Sequence, residues 1–433
     1  MVITGMGWVT PLGDDIETVW KRLLAGESGI ARTTLFDAST FPTTFSAEVK
    51  QCDLAKYLGP EQAAVHANAS RNVRFALAAA KMAWDASGLG TSRALDPERV
   101  GIYLGSGEGP IDFNPFVEAA VKAWDRQANG GRGDLDARKW VRVAGEKLKA
   151  TTELEQDPNM AAGHIACLFK VEGPTLNTLT ACAASTQAIG EATNLIRRGD
   201  ADAIISGGMH SMIHPFGVTG FNRLTALSTR NDTCVTASRP FDRTRDGFVL
   251  GEGAGILILE EYEHARRRGA PLLGEIAGYG STADAFRITD IHEDGRGGIA
   301  AMRLALQDAG IGPTDIDYIS AHGTGTEEND KIESLAIRGV FGEHAPKVPI
   351  SSVKSMLGHL IAAAGAVELI TCVLAIRDGV LPPTMNYATP DPNCPLDYVP
   401  NKARKADVRT ALSNSFGFGG QNDTLVVTRV ADN

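Results

Sequence analysis

Cys182 stands in the run Asn177-Thr-Leu-Thr-Ala-Cys-Ala-Ala-Ser-Thr-Gln-Ala-Ile-Gly190, where a β-type stretch gives way to a small-residue helix. Its sulfur should lie at a helix N-terminus, where the dipole and unpaired N–H groups stabilise a thiolate and lower a Cys pKa from about 8.5 toward neutrality. Taken alone, the residue is explained more simply as a small buried hydrophobe, so its partners must decide. His322 falls at a strand end in Ala321-His-Gly-Thr-Gly-Thr326, where glycines allow close backbone approach and two hydroxyls can bind a polar ligand. His359 closes Ser351-Ser-Val-Lys-Ser-Met-Leu-Gly-His359, shortly after Lys354. Either histidine alone fits a structural role, but the conjunction is hard to derive from packing. The turn Asn414-Ser-Phe-Gly-Phe-Gly-Gly420 adds N–H groups of the kind that build an oxyanion hole, or simply precedes the last strand, Thr424-Leu-Val-Val-Thr428.

The elements that must position these residues repeat along the chain. Ile3-Thr-Gly-Met-Gly7 matches Ile276-Ala-Gly-Tyr-Gly280, and a helix ending Trp84-Asp-Ala-Ser-Gly88 matches one ending Gln307-Asp-Ala-Gly310. The approach Asp96-Pro-Glu-Arg-Val-Gly-Ile-Tyr-Leu-Gly-Ser106 matches Pro313-Thr-Asp-Ile-Asp-Tyr-Ile-Ser-Ala-His322, and the helix after Cys182 parallels one from about His359 to Gly379. Apolar strands such as Ala203-Ile-Ile-Ser-Gly207 alternate with helices, which predicts an internally duplicated α/β fold with mostly parallel sheets. The expected halves are residues 1–257 and 258–433, with Cys182 and His359 opening symmetry-related helices at one site. The charged, glycine-interrupted stretch 110–160 is predicted to be an excursion forming a cap or interface.

Composition narrows the setting. A chain of 433 residues with 43% hydrophobic and 22% charged residues is an ordinary globular protein. No apolar run approaches a membrane span, and Met1-Val-Ile-Thr-Gly carries no basic leader, so a cytoplasmic protein is expected. The six cysteines show no C-x-x-C spacing, which points to reduced thiols, with no metal site and no disulfide framework. A net charge of −10 without a clustered basic face disfavours nucleic acid, and neither Gly5-Met-Gly7 nor Gly105-Ser-Gly107 completes a dinucleotide fingerprint.

Taken together, Thr180-Ala-Cys182-Ala-Ala-Ser185, Arg243-Thr-Arg-Asp-Gly-Phe-Val-Leu-Gly-Glu-Gly-Ala-Gly255, His322-Gly-Thr-Gly-Thr326, Lys354-Ser-Met-Leu-Gly-His359 and Asn414-Ser-Phe-Gly-Phe-Gly-Gly420 closely resemble the elongating β-ketoacyl-[acyl carrier protein] synthases of type II fatty-acid and polyketide synthesis. The resemblance runs from end to end and is weakest across 110–160. It implies the thiolase-like, five-layered αβαβα fold and a decarboxylative condensation in which Cys182 carries the acyl group. It further implies that the N–H groups of Cys182 and Phe418 form the oxyanion hole, with Phe416, Gly417 and Gly419 of the same turn binding the substrate. His322 and His359 would stabilise the enolate, Lys354 and Glu368 would organise the site, and Thr324 and Thr326 would hold a pantetheine arm. Asp330 and Glu333 match acidic positions of the family, though a solvated helix face explains them too. No cofactor is implied beyond the phosphopantetheine of the carrier protein.

Relatives within the superfamily fit less well. A degradative thiolase needs a second, C-terminal cysteine where this chain has Ser413, Ser415 and glycines, and the initiating enzymes resemble a Cys-His-Asn arrangement. The non-catalytic chain-length factors lack the nucleophilic cysteine. The chain departs from the long-chain pattern at Glu108 of Gly105-Ser-Gly-Glu108-Gly, where an apolar residue gates the acyl pocket. Either the loop leaves Glu108 solvated, or the acyl group is short, polar or unsaturated. The resemblance implies a homodimer through residues 176–198, with a chain-length-factor heterodimer as the alternative. An acidic carrier protein would dock on a local basic patch such as Arg71, Arg74 and Arg223.

Overall fold

The computed structural model describes every residue except 94, 110, 290, 432 and 433. Its first half contains β1 (Val2–Val9), α1 (Arg71–Ser87), β2 (Val100–Ser106), β3 (Thr175–Thr178), α2 (Ala184–Arg197), β4 (Ala203–His210) and β5 (Gly253–Glu260). The second half repeats the series as β6 (Gly274–Ala283), α3 (Arg296–Ala309), β7 (Tyr318–Ser320), α4 (Glu327–Phe341), β8 (Ile350–Ser351), α5 (Ala364–Asp378), β9 (Thr410–Gly417) and β10 (Gln421–Thr428), with α4 as its added helix.

The strand order β3-β2-β4-β5-β1 in one half answers β8-β7-β9-β10-β6 in the other. The two five-stranded sheets join where Val2 and Ile3 pair with Glu275 and Gly274. Only the β2 and β7 neighbourhoods are parallel, while β5 runs antiparallel to both β4 and β1 and β10 does the same in its half. The expectation of mostly parallel sheets is thus corrected to mixed ones. Local periodicity reports burial on both faces and carries no strand direction. β5 runs on as one continuous strand of the first sheet to Glu260.

Glycine explains how the repeats pack. A Cβ on Gly5 or Gly7 of β1 would stand 2.0 or 2.2 Å from carbonyl oxygens of Ala83 and Ala79 on α1. Gly278 and Gly280 of β6 meet Ala305 and Ala301 of α3 at 2.1 Å each. Bare backbone lets each outer helix lie flat on its sheet. Between the sheets run α2 and α5, and in α5 every residue from Ala364 to Ile376 is buried, as befits a helix covered all round. These are the five layers, αβαβα. The 110–160 excursion packs the helices Phe113–Ala123 and Ala137–Lys147 together and sets Phe113 and Phe116 edge-on against Phe216 of the helix Pro215–Arg223.

Candidate active site

From β3 the chain reaches α2 through a tight turn, Ala181–Ala183, that holds Cys182. Ala181 has φ 48°, and its counterpart Ile361, in the turn Ile361–Ala363 before α5, has φ 44°. Left-handed backbone at non-glycine residues persists only where the surroundings over-determine it. These matching turns make Ala362 the symmetry partner of Cys182. His359 does not open the equivalent helix as expected. It lies upstream, on the loop after Lys354–Leu357, and reaches across to the sulfur.

His359 Nε2 lies 3.1 Å from Cys182 Sγ. Its Nδ1 accepts the Ile361 N–H at 3.2 Å, which fixes the proton of the neutral ring on Nε2, aimed at sulfur. Burial, then Lys354, His322 and His210, hold His359 well below its ordinary range. His322 is held well below in the same way, by burial and then by Lys354, so both rings are neutral at physiological pH. The rings meet edge to face with centroids 5.3 Å apart, and Phe248 closes on His359 at 5.2 Å. The donor atoms of Cys182, His322 and His359 lie within 4.8 Å of one another. That trio suits a soft divalent cation, which would occupy the sulfur that nucleophilic chemistry needs.

The expected low thiol pKa is not what the site produces. Burial pushes Cys182 up to about 12, with Lys354 and the N–H groups of Phe418 and Cys182 pulling against it and Glu368 adding to the rise. The residue is 5% exposed, and losing water disfavours the thiolate by more than the donors return. The resting group is therefore a thiol. The Cys182 and Phe418 N–H groups lie close enough to the sulfur to favour its thiolate, so an oxygen held beside it comes within their reach. Gly417 permits this approach, since a Cβ there would stand 2.7 Å from the Thr180 carbonyl and 3.3 Å from the Cys182 nitrogen.

Behind these groups, Lys354 and Glu368 form an ion pair with each side chain 2% exposed. Burial raises the Glu368 carboxyl to about 7 against the pull of Lys354. Glu333 accepts the N–H groups of His322 and Gly323 at 2.8 Å each, and burial lifts it to about 7. Asp330 accepts from Phe241 and Gly325 at 2.7 and 3.2 Å, with Arg245 at 3.7 Å. Both carboxylates are fully buried on α4 and pin the His322 loop, so the solvated-face account of them fails.

Among the residues singled out from sequence, Cys182, His322, His359, Thr324, Thr326, Phe416, Gly417 and Phe418 line one cavity of about 100 Å³. It shares Thr326, Glu328 and Phe418 with a wider polar vestibule of about 640 Å³. Lys354 and Glu368 stand behind this lining, and two residues expected to bind substrate lie off it altogether. Gly419 is exposed and its N–H bonds the Ile288 carbonyl at 2.7 Å, while Glu108 is exposed on its loop and faces His214 electrostatically. Sequence reasoning missed Phe248, Thr289, Ile291 and Asn329 in the wall. Phe248 sits inside the quoted Arg243–Gly255 run, where its place could have been noticed, whereas the segment of Thr289 and Ile291 carries no pattern. Of the proposed docking cations, Arg74 and Arg223 are exposed, but Arg71 is taken by buried Glu252 at 2.8 Å.

The described helices include none long and apolar enough to cross a membrane. The β-ketoacyl synthase N-terminal domain matches residues 1–265 and its C-terminal domain matches residues 273–388. The 3-oxoacyl-[acyl-carrier-protein] synthase 2 of Coxiella burnetii is 43% identical over 432 residues, 100% of this chain and 99% of that protein. A solved complex of a type II polyketide-synthase acyl-carrier protein with its ketosynthase bound to the hexaketide is similar with a TM-score of 0.85 at 35% identity, covering 99% of each chain. The ishigamide ketosynthase/chain length factor is similar with a TM-score of 0.85 at 34% identity and the same coverage. Agreement of this extent across both halves means that the chain belongs to the β-ketoacyl synthase family.

Proposed function

We propose that this chain condenses an acyl group held on Cys182 with malonyl-[acyl carrier protein], releasing CO2 and giving 3-oxoacyl-[acyl carrier protein]. The observation that carries the reading is the His359 Nε2–H directed at the Cys182 sulfur from 3.1 Å, in a buried cavity shared with a second neutral imidazole.

In the first half-reaction the Cys182 sulfur attacks an acyl thioester. Its proton leaves with the carrier thiolate, and the tetrahedral oxyanion takes the Cys182 and Phe418 N–H groups; one such donor contributes about 10²–10³ in rate. In the second, malonyl thioester loses CO2, and the charge moves to the thioester oxygen as an enolate. Neutral His322 and His359 donate to it without a charge of their own to desolvate. The carbanion carbon attacks acyl-Cys182, the C–S bond breaks, and the sulfur takes one proton from solvent, the proton that decarboxylation of the malonyl carboxylate consumes. Thr324 and Thr326, at the junction of cavity and vestibule, suit a pantetheine arm, and in this reading no other cofactor takes part.

The assembly we infer is a cytoplasmic homodimer in which β3, an edge strand bonded only to β2 with Leu176 43% exposed, meets its copy. Pairing with a chain-length-factor subunit, as in the ishigamide relative, is the alternative. Intact-protein mass spectrometry after incubation with acyl-carrier thioesters tests the core claim. The expected result is an acyl adduct that Cys182→Ala abolishes; no adduct from any thioester would overturn the reading.

A further inference from the structure

His210, the last residue of β4, is 1% exposed, and neither of its ring nitrogens has a hydrogen-bond partner among the described residues. A neutral imidazole carries one donor and one acceptor, and leaving both unmet in an interior is as unfavourable as losing hydrogen bonds. The surroundings are shaped to admit this ring. Gly107 lies against it, where a Cβ would stand 2.5 Å from Nδ1. Gly208, two residues earlier on the same face of the strand, looks onto the Ala362 carbonyl and the Ser185 Cβ, next to the turns that hold the reacting centre.

The apolar cluster around Cys182 includes Ile213 and Val218, on the segment that directly follows His210. The end of β4 therefore borders the apolar cluster that an acyl chain on the sulfur would enter. There the acyl chain would meet a polar group rather than a closed hydrocarbon wall. His214 continues the polar character: its Nδ1 accepts the Gly217 N–H at 3.3 Å, it faces Glu108, and it acts electrostatically on His210.

We propose that His210 recognises a hydrogen-bonding oxygen, a keto or hydroxyl group, on the acyl chain carried by Cys182, and so selects oxygenated over saturated chains. This rests on the condensing function proposed above. A site built to bond an oxygen rejects the analogue without it strongly, because the protein's own polar group is then left unpaired.

The test is a set of octanoyl-pantetheine thioesters in which a single oxo group is walked along the chain, with plain octanoyl as reference. Rates of Cys182 acylation are followed by intact mass. One oxo isomer should load at least tenfold faster than octanoyl on the wild type. His210→Leu should bring the two within about threefold, and His210→Gln, which keeps a donor and an acceptor, should preserve the preference. Melting temperatures confirm that both variants are folded. Equal loading of all isomers by the wild type, or a preference that survives in His210→Leu, overturns the assignment. Absence of any adduct in the wild type instead refutes the condensing function on which it rests.

Discussion

Replacing Lys354 with Met removes the cation from a buried pair whose members are each 2% exposed. Taking one partner from such a pair costs about 3–5 kcal/mol, because the other is left as an uncompensated charge. Glu368 has a way to limit that loss. Its carboxyl already stands at about 7 beside the lysine, against about 4.3 in an unfolded chain, and without the lysine it stays protonated through neutral pH. A carboxyl whose folded value lies above its unfolded one contributes stability that is full below the unfolded value and is lost as pH rises through the folded value. Lys354→Met should therefore lose about 1.4 kcal/mol per pH unit across neutrality. In the wild type the Glu368 contribution flattens above its folded value of about 7. The stability gap between the two proteins should thus widen by about 1 kcal/mol between pH 6 and pH 8. Lys354→Met/Glu368→Leu deletes the charge altogether and should recover most of the stability; lacking the Glu368 titration, its gap to the wild type should narrow by about 1 kcal/mol from pH 6 to pH 8 rather than widen. Melting temperatures of the three proteins at both pH values measure this. If the single variant melts with the wild type at both, or the double variant is no better than the single, the reasoning about this pair is wrong.

Three other outcomes follow from the geometry. His359→Gln should still be acylated at Cys182 within about tenfold of wild type, while condensation with malonyl thioester falls by about 10²–10³. Gly417→Ala places a Cβ 2.7 Å from the Thr180 carbonyl, which pushes the Phe418 N–H away from the sulfur; acylation measured by mass spectrometry should slow by about 10²-fold. Glu108 is exposed and off the cavity wall, so Glu108→Ile should change stability by no more than about 0.5 kcal/mol and leave the acyl-chain profile as it was. A profile shifted toward long saturated chains would return Glu108 to the pocket.

The repeats were legible because close packing leaves a local mark: Gly5, Gly7, Gly278 and Gly280 are needed wherever a helix lies flat on a strand, and they recur at matching places. The cavity was legible for the same reason, since Cys182, His322, His359 and the Phe418 turn each sit in a distinctive short run. Quantities that depend on the whole surroundings were not. The Cys182 thiol was judged from the helix end alone, and burial, which the run cannot express, reverses the direction. For Asp330 and Glu333 the sequence leaves a family acidic position and a solvated helix face both open, because nothing in their helix announces the backbone donors of another loop. Phe248 reaches the reacting centre only through pairings between distant strands and loops.

The paired left-handed residues Ala181 and Ile361 have a consequence for how such a centre can arise. Duplication supplied two facing corners with the same strained entry into a helix, yet a condensation uses one nucleophile. With the thiol on one corner and Ala362 on the other, both corners hold the same backbone geometry and one of them carries the nucleophile. The loop leading into the Ala362 corner, bearing Lys354 and His359, turns toward the opposite corner. The asymmetry that makes this protein a catalyst is thus drawn on a symmetric frame, and Ala362 marks the corner without a nucleophile.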